Sequence, residues 1–411
     1  MNNIRVIVCM SILSASAFGS DQVPGRMPDG PVAIVGVTVH PISGPVIENG
    51  TILFEAGKIT AVGNEVQVPD NAQTIKGKKL HAFPGLFEPY SRLGLVEINA
   101  VRASNDYNET GLLNPNVRAN VSINPDSELF PVTRSNGVLF TMSVPSGGRI
   151  AGQGSILRLD GWTYEDMTVV PGATLVASIH DDDDVVQMRD FLEECRRYQH
   201  AREANSETRH DVRYESMIPV LEKTLPIIVH ADRWEDINRV VAFARDEDLK
   251  LIVFGGYDAP DCAELLKKHK VPVILSSVHR KPLYRHESYD AAYTLPKRLA
   301  DLGIPFAISG YERSSSYNVR NLPYHAATAA AFGLSEEQAL RAITLSPAEI
   351  LGVADRIGSL ETGKEATLFL ATGSPLEADT QIKRAWIAGK PVDLSNKQTM
   401  LYKKYQQKYR E

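Results

Sequence analysis

Chemistry in this 411-residue chain would have to come from a few polar side chains at the ends of apolar runs. His230 directly follows Leu225-Pro226-Ile227-Ile228-Val229. An imidazole there can ligate a zinc-like metal, whose charge lowers the pKa of bound water and polarises a carbonyl. One histidine does not make such a site, and a hydrogen-bonded structural histidine is the simpler reading. Ser276-Ser277-Val278-His279-Arg280 follows another apolar run, with His286 beyond it, and Ser309 follows Ile304-Pro305-Phe306-Ala307-Ile308. A serine beside a histidine can be a nucleophile, but no Gly-x-Ser-x-Gly elbow is present. Glu88, Tyr90 and Arg92 alternate, so an extended backbone would point all three to one face. Asp181 to Asp184 form an acidic run. Calcium would need further oxygen ligands at defined spacing, and a helix start favoured by its dipole is the better reading.

The elements that must hold these residues change along the chain. Residues 32–80 are rich in β-branched residues, with Gly50 to Phe54 and Lys58 to Val62 joined by Glu55-Ala56-Gly57 as strand, turn and strand. Ala366 to Ala371 and Ile382 to Ala388 are again strand-like. Between these ends, short apolar runs alternate with helical periodicity. Ile237, Val240, Val241 and Ala244 fall at i, i+3, i+4 and i+7, between the runs ending at Val229 and Phe254. Repeated βα units predict a parallel sheet. The expected fold class is α/β: a (β/α)8 TIM barrel plus a small β-sandwich domain formed by both chain ends. An open doubly wound sheet is the alternative, but no Gly-rich dinucleotide fingerprint follows a first strand. Ser335 to Gln338 and Ser346 to Glu349 fit capping boxes. Residues 100–175 read as barrel strands with an irregular insertion.

Phe83-Pro84-Gly85-Leu86-Phe87-Glu88-Pro89-Tyr90-Ser91-Arg92 resembles the amidohydrolase superfamily, in its imidazolonepropionase-like branch. That family opens its barrel with Pro-Gly-Leu-Ile-Asp-x-His-x-His. Gly333 to Leu340, Ile343 to Gly352 and Arg356 to Lys364 follow the family order. The resemblance implies hydrolysis of C–N bonds in amides or cyclic amides, with a single divalent zinc-like metal. The metal histidines would lie at spacing i, i+2 on the first barrel strand, and here those positions hold Tyr90 and Arg92. A guanidinium cannot ligate, and it repels a dication by roughly 8 kcal/mol at ~4 Å and an effective dielectric of ~20, before screening. His230 matches the strand-five ligand. Gly255-Gly256 stands where a second histidine is common, and Ser309-Gly310-Tyr311 where a catalytic Asp is usual, the nearest carboxylate being Glu312. No strand-four lysine or glutamate is identified. The barrel-mouth candidates are therefore Glu88, Tyr90, Arg92, His230, Ser276, His279 and Ser309, with His230 the one metal candidate. Two functions remain open: an exported C–N hydrolase with an altered site, or an inactive amidohydrolase-fold binding protein. In the second, Arg92 fills the metal cavity with Glu88 as counter-ion, and the protein binds a small-molecule, carboxylate-bearing ligand or pairs with an intact relative.

Composition is ordinary for a globular protein. The net charge of −6 argues against nucleic acid as the main partner. Arg5, the apolar stretch Val6 to Leu13 and Ala15-Ser16-Ala17 read as a signal peptide over 1–19, implying a periplasmic or secreted protein. A membrane anchor is the alternative, though the stretch is short of the ~20 residues that span a bilayer. Cys195 and Cys262 could pair in an oxidising compartment or remain buried thiols. The expected parts are a composite β domain (30–82 and 357–395), a barrel (83–356) and a basic tail (396–411) with Lys403, Lys404, Lys408 and Arg410. A homo-oligomer is expected by analogy alone.

Overall fold

The computed structural model describes residues 20–205, 207–311 and 316–409. The expected signal segment, Glu312 and Arg410 lie outside these. Sixteen strands form two sheets among the described residues. The first five are β1 (Val32–Val39), β2 (Ile47–Glu55), β3 (Lys58–Gly63), β4 (Gln73–Lys76) and β5 (His81–Pro84). The barrel strands are β6 (Leu86–Ser91), β7 (Val138–Ser143), β8 (Ile150–Arg158), β9 (Thr168–Ala177), β10 (Ile227–Ala231), β11 (Leu251–Gly255), β12 (Val273–Leu275) and β13 (Phe306–Ile308). The last three are β14 (Leu368–Ala371), β15 (Ile382–Ile387) and β16 (Lys390–Pro391).

One sheet runs β16-β15-β14-β5-β1-β2-β3, with β4 also on β1, so both chain ends build it. It curls enough to bring Phe54 of β2 edge-on to Trp386 of β15, ring centroids 5.9 Å apart. Val32, Ile34, Ile52, Ile59, Leu368 and Leu370 fill the space enclosed. Ile59 N donates to Lys364 O at 2.9 Å, and Gly363 N donates back to Ile59 O at 2.8 Å. These bonds tie β3 to the returning chain.

The second sheet runs β6 to β13 in chain order and forms the barrel. Alternation places Ile228, Ile252, Phe254, Ile274 and Ala307 inside with Phe87 and Phe140. The intervening Ile227, Val229 and Val253 pack outward with Ile237, Val240, Val241 and Ala244 of the helix Trp234–Asp246. The pattern visible in the sequence is therefore the burial pattern. One strand departs from a uniformly parallel barrel: β8 is antiparallel to both β7 and β9. The connections at 144–149 and 159–167 are too short for crossover helices, and antiparallel neighbours need none. The irregular part of the 100–175 region lies ahead of β7.

Ser335 caps Glu336–Ala342 with the expected box. The second box is a correction: its helix, Leu345–Ile350, begins before Ser346, and Thr344 at its start makes no side-chain cap. Thr344 Oγ1 instead donates to Leu340 O at 2.6 Å. The acidic run starts the helix Asp182–Ala204, with Asp181 accepting from Asp184 N at 2.9 Å and Asp184 paired with Arg149 at 2.7 Å. Cys195 and Cys262 are both free and buried. Among the described residues no helix is long and apolar enough to cross a membrane.

Arg158, at the end of β8, reaches Glu365 just before β14, its Nε 3.0 Å from both carboxylate oxygens. Both side chains are largely buried, at 20% and 10% exposure. Glu365→Ala leaves the guanidinium short of its partner and is expected to cost about 2 kcal/mol, between the surface and buried limits for ion pairs. Urea denaturation at neutral pH measures it.

Candidate functional site at the barrel mouth

No backbone ladder joins β13 to β6. Glu88 bridges that seam. Its carboxylate, fully buried, accepts from Gly310 N at 2.8 Å, Tyr90 N at 3.1 Å and Ser309 Oγ. Ser309 Oγ in turn accepts from Tyr311 N at 2.9 Å. Burial pushes the Glu88 carboxyl up to about 7, and these three hydrogen bonds limit the rise. Glu88 and Ser309 thus sit beneath the mouth as structural partners. The expected Glu88–Arg92 ion pair is not formed. All three donors to Glu88 come from the seam, and Arg92 lies elsewhere, its guanidinium 4.1 Å above the Tyr107 ring and 5.9 Å from Tyr311.

Above Glu88, Tyr90 stacks on Phe254 with centroids 3.7 Å apart and planes at 12°. Tyr311 meets both rings edge-on, at 5.1 and 5.5 Å. Burial, then the nearby Tyr311 hydroxyl, raise the Tyr90 phenol above its usual range, so it stays neutral. These rings form one wall of a cavity of about 640 Å³, lined also by Arg92, His230, Asp232, Ser276, Ser277, His279 and Arg280.

His230 lies within β10, two residues beyond Ile228, and points to the same interior side. Its Nε2 is 3.4 Å from Asp232 Oδ2. Arg280 grips that carboxylate with two nitrogens, at 3.0 and 3.1 Å, and bonds Ser276 Oγ at 3.1 Å. Burial opposes ionisation of Asp232, but His230 and Arg280 outweigh it and hold the carboxyl well below the usual carboxylate range. Sequence reasoning missed Asp232. Its i+2 spacing from His230 was the available signal. Arg280 was in view only as a neighbour of His279, because its partner lies on a different loop.

His279 bonds Thr328 Oγ1 at 2.7 Å and packs on His325, ring centroids 4.1 Å apart. His325 is buried in the helix Leu322–Ala331, and burial lowers it to about 3, with the charge of His279 adding to the effect. His286 lies away from this cavity, stacked on Tyr284. A larger hollow, about 900 Å³, opens at the opposite end of the barrel and shares no residue with the mouth.

A family model described as "Amidohydrolase family" matches residues 222–392. The structure superposes on an amidohydrolase from Thermotoga maritima MSB8 with a TM-score of 0.81 at 26% identity, covering 88% of this chain and 99% of that one. Residues 222–392 carry the amidohydrolase family signature, and the fold is that of an amidohydrolase. The amidohydrolase tasK of Hapsidospora irregularis is 21% identical over 389 residues, 83% of this chain and 39% of that protein. An imidazolonepropionase of Syntrophobacter fumaroxidans is 33% identical over 82 residues, 20% of this chain and 19% of that protein. The chain thus spans well under two thirds of either curated relative.

The barrel strand that precedes His230, β9, carries no lysine or glutamate. At the end of β11, Gly255 has φ +104°, and a Cβ there would lie 2.9 Å from Asp232 Oδ1. At the end of β13, a Cβ on Gly310 would lie 3.3 Å from Glu88 Oε2 and 3.3 Å from His325 Cδ2. A larger side chain at Gly255 must displace Asp232, and one at Gly310 must crowd Glu88 and His325. Among the described residues, no three His, Cys, Asp or Glu side chains converge to hold a metal ion.

Proposed function

We propose that this amidohydrolase barrel binds a small molecule at its mouth without a divalent metal. The observation that carries the reading is the engagement of Asp232. It is the one carboxylate among the described residues lining the cavity, and Arg280 holds it with two nitrogens. With Arg92 also at the mouth, the local charge opposes a dication rather than attracting one. His230, Tyr90 and Arg92 do not make a zinc-like donor set. Elemental analysis of protein purified from metal-supplemented culture tests this. Substoichiometric zinc, manganese and iron are expected, and one equivalent of any of them overturns the reading.

A second reading keeps the superfamily's hydrolysis of C–N bonds, favoured by the Thermotoga likeness and by the His230–Asp232 contact. In it, His230 takes a proton from water as the water adds to an amide carbonyl, and returns that proton to the amide nitrogen as the C–N bond breaks. The imidazolium is held by Asp232, and Arg92 faces the oxyanion. Hydrolysis of cyclic amides or dipeptides in the presence of a chelator, lost in His230→Ala, would establish it. Lack of turnover in the native protein would remove it. The signal-like start of the sequence supports an exported, periplasmic or secreted protein, and N-terminal sequencing of the mature chain tests that placement. Pairing with an intact amidohydrolase or with a second copy belongs to the same proposal, and sedimentation of the purified chain alone and with such a relative tests it.

A further inference from the structure

Two polar groups that line the mouth stand out against neighbours that are already bonded. Asp232, Arg280 and Ser276 satisfy one another. Glu88 is saturated by the seam. Arg92 and Ser277 differ: Arg92 Nε and Ser277 Oγ are buried, and neither has a hydrogen-bond partner. Both residues line the same cavity. Among the described residues no carboxylate forms an ion pair with Arg92, whose guanidinium is steadied from below by the Tyr107 ring. A planar, ring-supported guanidinium and a hydroxyl are donors suited to a planar two-oxygen anion. The adjoining wall is aromatic, made of the Tyr90–Phe254 stack and the edge-on Tyr311.

We propose that the mouth takes a small carboxylate with a flat apolar body, its carboxylate held by Arg92 and Ser277 and its body laid against Tyr311 and the Tyr90–Phe254 pair. The assignment rests on the metal-free reading above. It differs from that reading in naming the ligand's charge and shape. Buried polar groups left unpaired are costly, so a ligand that satisfies them is discriminated strongly from one that cannot.

Calorimetric titration of the full chain, in chelator, with benzoate, indole-3-carboxylate, their neutral amides and inorganic phosphate tests the assignment. Each carboxylate is expected to bind at least about tenfold tighter than its amide, the effect of one charge-assisted contact. Phosphate, lacking the flat body, is expected to bind more weakly than either. Arg92→Gln should erase the carboxylate preference, and Ser277→Ala should reduce it. The carboxylate–amide comparison needs no variant, so it stands even if Arg92→Gln fails to fold. Equal affinity for acid and amide, or tighter binding of phosphate, overturns the ligand class and leaves the metal-free reading intact. If one equivalent of zinc binds and carboxylate affinity appears only with it, the metal-free reading itself fails.

Discussion

Gly255→His, which returns a histidine to the end of β11, is expected to destabilise the protein by about 3–5 kcal/mol rather than rebuild a metal centre. Two costs add. The backbone at Gly255 has φ +104°, a conformation L side chains rarely adopt, and holding a non-glycine residue there costs about 1–3 kcal/mol. The new Cβ would also lie 2.9 Å from Asp232 Oδ1 and 3.1 Å from His230 Cδ2. Asp232 must then move off Arg280, whose side chain is 22% exposed. That exposure reduces the cost of an unpaired charge to about 2 kcal/mol, below the fully buried figure. Urea denaturation at neutral pH, with metal analysis of the same sample, measures both outcomes. Stability within about 1 kcal/mol of the native protein, accompanied by bound zinc, would contradict the expectation.

The second large effect is on pH dependence. The Glu88 carboxyl is raised from 4.5 to about 7 by burial. Between those values the folded state holds a proton that the unfolded state has released. Stability contributed by this group therefore falls as pH rises through that window, by about 3 kcal/mol in all. His325 works the other way. Burial lowers it from 6.5 to about 3, so the unfolded state binds the extra proton and stability rises with pH. The native profile mixes the two slopes, and comparison with Glu88→Gln isolates the first. The variant opposes an amide N–H to a seam N–H, either Gly310 N or Tyr90 N, so its stability near pH 4.5 should be lower than native. The gap between the two proteins is expected to narrow by about 3 kcal/mol on going from pH 4.5 to about 7. Parallel profiles would show that Glu88 stays ionised in the seam.

Much of the architecture was legible because it rests on short-range periodicity. The short apolar runs Leu225 to Val229 and Leu251 to Phe254, and the helical spacing of Ile237 to Ala244, are the buried segments observed. The reversed strand β8 was not legible, since its mixed run Ile-Ala-Gly-Gln-Gly-Ser-Ile-Leu-Arg carries no signal of strand direction. At the mouth, Tyr90, Arg92, His230, Ser276 and His279 do line one cavity. Their roles were not legible, because they depend on partners far along the chain. Arg92 was read with Glu88 because the two are close in sequence, but Glu88 is occupied from across the seam by Ser309 and Gly310. The residue that supports Arg92 is Tyr107, from the irregular segment where periodicity carries no information. The Asp232–Arg280 pair joins two loops and could be seen only once the barrel placed them side by side.

Diffraction at the zinc absorption edge from crystals grown in excess zinc tests the metal-free mouth most directly. The expected map has no anomalous peak among Tyr90, Arg92, His230 and Asp232, with Arg280 still gripping Asp232. A peak within ligand distance of His230 and Asp232, with Arg280 displaced, would contradict it.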